Sequence, residues 1–182
     1  MSTQKYELTG TTKVNDWGVT VHQIRATEDI PRWGVSKGDL GGWVESETLR
    51  NGDARVYGDA WVSGDAWVFG NARVFGDARV SGDAWVYGNA WVYGNARVSE
   101  IGHYLIVGPI GSENVTATLF RTKNGKHRLN VGCWSGTLGT LMGEVKKRRA
   151  NWSADSVTQE KWVAQYRALK ALGKVTVAGW VE

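Results

Sequence analysis

Between Val44 and Ser99 one apolar pattern recurs every six residues, in the frame V-x-G-[DN]-A-x. The valines are Val56, Val62, Val68, Val74, Val80, Val86, Val92 and Val98, and an alanine follows four residues after each of the first seven. A helix cannot use this spacing. Six residues do not fit a period of 3.6, and a glycine in every unit costs about 1 kcal/mol relative to alanine inside a helix. Short strands separated by turns do fit. The β-branched valine points inward, alanine fills a corner, and Gly-Asp or Gly-Asn supplies the turn.

A second period sits on the first. The residue after each valine repeats at a lag of eighteen: Tyr57, Phe75, Tyr93; Ser63, Ser81, Ser99; Phe69, Tyr87. Three six-residue units therefore make one coil, and like residues stack at about 4.8 Å, the spacing of neighbouring strands. One outward column set holds Arg55, Tyr57, Arg73, Phe75, Trp91 and Tyr93. A second holds Trp61, Ser63, Arg79, Ser81, Arg97 and Ser99, and a third Trp67, Phe69, Trp85 and Tyr87. The third set carries on the order of 600–1,000 Å² of ring surface at 150–250 Å² per ring, more than a monomer leaves in water. Trp67, Phe69, Trp85 and Tyr87 are thus the candidate oligomer interface, and stacking within the solenoid is the alternative use of such ladders.

The repeat resembles the hexapeptide-repeat family, and the resemblance implies a left-handed parallel β-helix with trimeric assembly. Taken with "KYELTGTTK", "GDLGGWVE" and "IGHYLIVGPIGS", it is also similar to repeat proteins common in bacteriophages and prophages. That similarity implies an accessory protein acting in a host cytoplasm, with no settled activity.

The flanks predict caps and a second domain. Residues 4–26 read as a hairpin around Asn15-Asp16, and 37–45 as a glycine-rich turn feeding Trp43 and Val44 into the first coil. After Ser99 the spacing predicts strands over 103–107, 115–122 and 127–134, the last two joined by Lys123-Asn124-Gly125-Lys126. Helices over about 137–149 and 156–172 follow, with a last strand in "KVTVAGWV". The expected architecture is mainly β: a β-hairpin cap (1–43), a short left-handed β-helix (44–100) and a small α+β domain (101–182).

Charge and chemistry narrow the function. The net charge is +4, but residues 101–182 carry 12 basic against 5 acidic residues while 44–100 carry 5 against 8. No signal-like or membrane-spanning run is seen, and the lone Cys133 gives no disulfide framework, so a cytoplasmic protein is expected. Asp53, Asp59, Asp65, Asp77 and Asp83 alternate with Asn71, Asn89 and Asn95, which suits turns rather than a metal array.

Hexapeptide acyltransferases use a histidine near the solenoid and the related carbonic anhydrases use three, yet His22, His103 and His127 all lie in the flanks. Cys133 reads as a buried structural residue rather than a nucleophile. No enzyme activity and no cofactor are expected; a hexapeptide acyltransferase is the least favoured alternative.

Tryptophan beside arginine suits a ligand with flat rings and phosphates. The candidate ligand-binding residues are Arg73, Arg79, Trp91 and Arg97 on the coils, with Arg121, Lys123, Ser135, Gly136 and Thr137 in the basic domain. Ser135 to Thr137 are placed at a helix N-terminus, where N–H groups cap a turn or hold an anion. The expected function is counter-defence: sequestering a nucleotide-like signal or masking a host protein. A structural oligomer is the alternative, and neither a membrane nor a specific nucleic acid is an expected partner.

Overall fold

The computed structural model describes residues 5–14, 18–31, 34–46, 49–52 and 54–180, with the backbone alone at 49–52. Asn15, Asp16 and Asp53 lie outside the described residues. The chain divides into two compact units, Met1–Ile101 and Gly102–Glu182.

The first unit is a β-solenoid behind a hairpin. The hairpin pairs β1 (Tyr6–Val14) with β2 (Thr20–Ala26) antiparallel, and β2 pairs in turn with β3 (Leu40–Val44). From β3 onward every third strand stacks in parallel. β3, β6 (Trp61–Val62), β9 (Arg79–Val80) and β12 (Arg97–Val98) form one ladder. β4 (Leu49–Gly52), β7 (Trp67–Gly70) and β10 (Trp85–Val86) form the second. β5 (Arg55–Val56), β8 (Arg73–Phe75) and β11 (Trp91–Tyr93) form the third. The hairpin thus extends the first ladder into a six-stranded sheet.

Valine spacing explains the core. Val56 through Val98 are all buried, and Ala60, Ala66, Ala72, Ala78, Ala84, Ala90 and Ala96 are closed to solvent at the corners. Each buried valine stabilises by about 1.5–3 kcal/mol. The ladder is continuous between coils, with Arg55 N–H donating to Ala72 O at 2.9 Å and Trp61 N–H to Ala78 O at 2.9 Å. At the turns the backbone takes the left-handed conformation, as at Gly64 (φ +67°), where an added Cβ would sit 3.1 Å from Gly82 N in the next coil. Only glycine suits both demands.

The second unit is a four-stranded antiparallel meander with two helices. Its strands run in order β13 (Tyr104–Ile110), β14 (Val115–Arg121), β15 (His127–Val131) and β16 (Trp134–Gly136). Gly125 (φ +68°) closes the β14–β15 turn, with Thr122 N–H donating to Lys126 O at 2.9 Å. The helices are α1 (Leu141–Arg149) and α2 (Ser156–Val177). Asp155 caps α2, accepting from Thr158 N at 2.9 Å. Leu119, Leu129, Leu138, Leu141, Val163 and Leu169 form the core between sheet and helices. Gly173 lets α2 approach, since a Cβ there would lie 2.6 Å from Leu138 Cδ2.

Four sequence expectations need correction. Trp61 and Ser63, placed on the outside, are buried, Trp61 at 7 % exposure. Ser135 does not cap a helix: it lies in β16, and α1 begins only at Leu141. The run read as a last strand stays helical to Val177, because Tyr166, Leu169, Gly173 and Val177 continue one core-facing stripe. Cys133 is exposed, because Gly132 (φ +57°) and Cys133 form the two-residue turn joining β15 to β16.

Candidate functional site

The restriction of the position before each valine to tryptophan or arginine follows from stacking. Successive coils bring planar groups over one another, and both indole and guanidinium are flat. Trp67 stacks on Trp85 with centroids 5.2 Å apart and planes within 7°, and Phe69 on Tyr87 at 5.4 Å. Tyr57, Phe75 and Tyr93 form a continuous stack at 5.0 and 4.8 Å.

Cations join the columns. Arg73 lies over Trp91 at 4.6 Å, and Arg79 over Trp61 at 3.7 Å. Each such contact contributes about 0.5–2 kcal/mol, more where water is excluded.

The arginines of the first ladder also tie turns together. Arg79 Nη1 donates to Asp59 O at 2.9 Å and to Asp77 O at 3.3 Å, and Arg97 Nη1 donates to Asp77 O at 3.0 Å and Ala96 O at 2.8 Å. Their charge is therefore used inside the solenoid. Lys13 completes the set from the hairpin, 3.9 Å from the Trp43 ring and 5.0 Å from that of Trp61, with an ion pair to Asp59 at 3.5 Å. Sequence spacing missed Lys13, because only the long-range pairing of β2 with β3 brings it there.

Exposure rises towards the last coil. Trp67 and Phe69 are half-buried, but Trp85 is 43 % exposed, Tyr87 45 % and Trp91 36 %. Trp85 in β10 and Trp91 in β11, the last strands of their ladders, end their columns, as does Tyr87 just after β10. A ring face at the end of a column can accept one more flat group at the same spacing. Trp91 lies in this group with Arg73, while Arg79 and Arg97 occupy matching positions of the first ladder.

The remaining candidates belong to the second unit. Arg121 Nε reaches Trp180 O at 3.5 Å, and Lys123 stands exposed in the β14–β15 turn. Ser135 Oγ accepts from Arg128 Nε at 2.8 Å. Gly136 makes room for the Trp134 ring, which a Cβ would strike. Thr137 N–H donates to Thr140 Oγ1 at 3.0 Å. The three residues are occupied in shaping the chain ahead of α1.

His127, also in this unit, accepts a hydrogen bond at Nε2 from Leu138 N at 3.1 Å, and burial holds its imidazole below the ordinary value of 6.5. The unfolded state therefore binds the proton more readily, so this contribution to stability is present above about pH 6.5 and is lost as pH falls through the folded-state value. The melting temperature of the wild type should drop on mild acidification, before carboxylates titrate. His127→Gln should flatten that dependence; an equal pH slope in both proteins would exclude the histidine as its source.

Among the described residues no three His, Cys, Asp or Glu side chains gather as metal ligands, and no helix is long and apolar enough to cross a membrane. Neither a curated protein nor a solved structure matches the chain. The repeat region does have a match: residues 54–70, 66–82, 72–88 and 78–93 fit the family model described as the YdcK beta solenoid repeat, in agreement with the stacked ladders.

Proposed function

We propose that the chain is a non-enzymatic binding and assembly protein that works as a homo-oligomer, with the Trp67–Trp85 and Phe69–Tyr87 ladders covered by a second copy. One observation carries this reading: the ladders end on the exposed rings of Trp85 and Tyr87. A stable interface buries about 800 Å² per partner, and stacked rings with half their surface outward supply a large part of its apolar centre. Trimeric assembly is the form that the hexapeptide-repeat resemblance favours.

A second reading rests on Trp91, exposed beside the Arg73 guanidinium. That pair suits a nucleotide-like ligand, the ring on indole and a phosphate on the arginine. With the phage resemblance, it describes a counter-defence protein of the host cytoplasm that sequesters a signalling nucleotide or masks a host protein. Arg79 and Arg97 donate to backbone carbonyls of neighbouring turns, so part of their hydrogen-bonding capacity is used within the solenoid.

Sedimentation velocity tests the assembly. The wild type should run as an oligomer, and Trp85→Glu as a folded monomer, since the substituted side chain is on a terminal strand and partly in solvent. A wild-type monomer, or an unchanged oligomer in Trp85→Glu, contradicts it. Calorimetry with cyclic and linear nucleotides tests the second reading, where saturable binding lost in Arg73→Met supports the ligand.

A further inference from the structure

The second unit holds a small pocket, partly open to solvent, that neither the ladders nor the candidate residues explain. Trp134, Trp152 and Tyr166 form its aromatic walls, and Glu113, Glu144 and Arg148 stand around it. The walls are held in place. Trp134 packs over Gly136, and the Tyr166 hydroxyl packs against Gly111 (φ +72°), so that a Cβ at either glycine would collide. Trp152 is braced edge-on by Trp162, 5.3 Å away and at 82°.

The charges do not cancel. Arg148 Nε donates to Glu144 Oε1 at 2.7 Å, Nη2 to Cys133 Sγ at 3.5 Å, and Nη1 stands 3.9 Å from Glu113 Oε1. One guanidinium thus faces two carboxylates, which leaves one negative charge. Glu113 is 62 % exposed and only loosely held by Arg148, so its oxygens remain open to another donor. The Tyr166 hydroxyl has no hydrogen-bond partner among the described residues, and burial raises its pKa, keeping it protonated. The basic surplus of residues 101–182 opposes a cation at long range, but salt screens that field beyond about 8–10 Å. Contacts inside the pocket decide.

We propose that this pocket binds an organic cation, a primary ammonium or guanidinium on a short apolar stem, with the stem against Trp134, Trp152 and Tyr166 and the charge at Glu113. Ring faces attract cations and the uncompensated carboxylate supplies the acceptor. An anion meets the reverse: Arg148 is already engaged by Glu144, and Glu113 repels it. The cation is either a free amine or the basic side chain of a peptide.

Three ligands that share a stem and differ in charge test the proposal: isopentylamine, isopentanol and isovalerate. The readout is the indole N–H resonances of Trp134 and Trp152 in the full chain. Isopentylamine should shift both saturably, with the alcohol at least about tenfold weaker and the carboxylate weakest. N-acetyl-lysine methylamide distinguishes the sources: binding assigns the pocket to peptide side chains, and failure beside bound isopentylamine assigns it to free amines. Glu113→Lys, at an exposed position, should abolish amine binding and leave the fold intact. Equal binding of the three stems, tightest binding of isovalerate, no saturable shift with any ligand, or undiminished amine binding in Glu113→Lys overturns the proposal.

Discussion

Replacing Val74 by aspartate is expected to abolish cooperative folding of the solenoid. Val74 sits in β8 between Val56 and Val92, its registered neighbours in the coils on either side, and all three are buried. The substitution loses about 1.5–3 kcal/mol of apolar burial. Leaving an unpaired carboxylate there costs several kcal/mol more, or its neutralisation does. The sum is comparable with the whole stability of a small domain, about 5–15 kcal/mol. Each coil contacts only its neighbours, so a failure in the middle coil removes support on both sides. Denaturant unfolding followed by tryptophan fluorescence should show no cooperative transition for the solenoid. A transition displaced only slightly from that of the wild type would mean that Val74 does not face a dry core.

The second large effect separates two glycines of the same frame. Gly82 and Gly94 both have φ +61°, so alanine at either position costs about 1–2 kcal/mol for the left-handed backbone alone. Their surroundings differ. A Cβ at Gly82 would collide with the carbonyl oxygen of Ser99, a backbone atom that cannot swing aside, whereas nothing lies within 4 Å of one at Gly94. Overpacking adds about 1–3 kcal/mol, so Gly82→Ala should lose about 2–5 kcal/mol and Gly94→Ala only the smaller amount. Equal losses would show that backbone conformation alone makes these positions glycine.

The solenoid was legible because its information is local and repeated. A lag of eighteen residues correctly placed Arg55 with Arg73 and Trp91, Trp61 with Arg79 and Arg97, and Trp67 with Trp85, and the strand registers match. Burial of Trp61 was not legible, because Lys13 reaches it through pairing with a distant hairpin. The same lag revealed the aromatic columns but not the engagement of Arg79 and Arg97 by backbone carbonyls, which depends on how the turns of successive coils approach.

In the second unit the local signals were more ambiguous. "KVTVAGWV" is rich in β-branched residues, yet Gly173 and Val177 extend the helical stripe of Tyr166 and Leu169, and core packing overrides local propensity. "GCWSGTL" looked like a loop entering a helix, but Gly132-Cys133 makes a hairpin turn instead and sends Trp134 back along the sheet. That reversal brings Trp134 to the same pocket as Arg148 and Tyr166, so the pocket joins four stretches of the chain, 112–115, 131–134, 141–152 and 166, and no motif announces it.

Whether the exposed rings that end the ladders meet a partner is the central question for function. Native mass spectrometry of the full chain, purified under mild conditions, reads the oligomeric mass and any retained small molecule in one spectrum. The expected result is a defined multiple of the 20.0 kDa chain, three on the hexapeptide-repeat resemblance, that collapses to a single chain in Trp85→Glu. A wild-type spectrum holding only the bare 20.0 kDa chain, at every concentration that keeps the protein folded, contradicts the assembly and leaves Trp85 and Tyr87 without the role given them here.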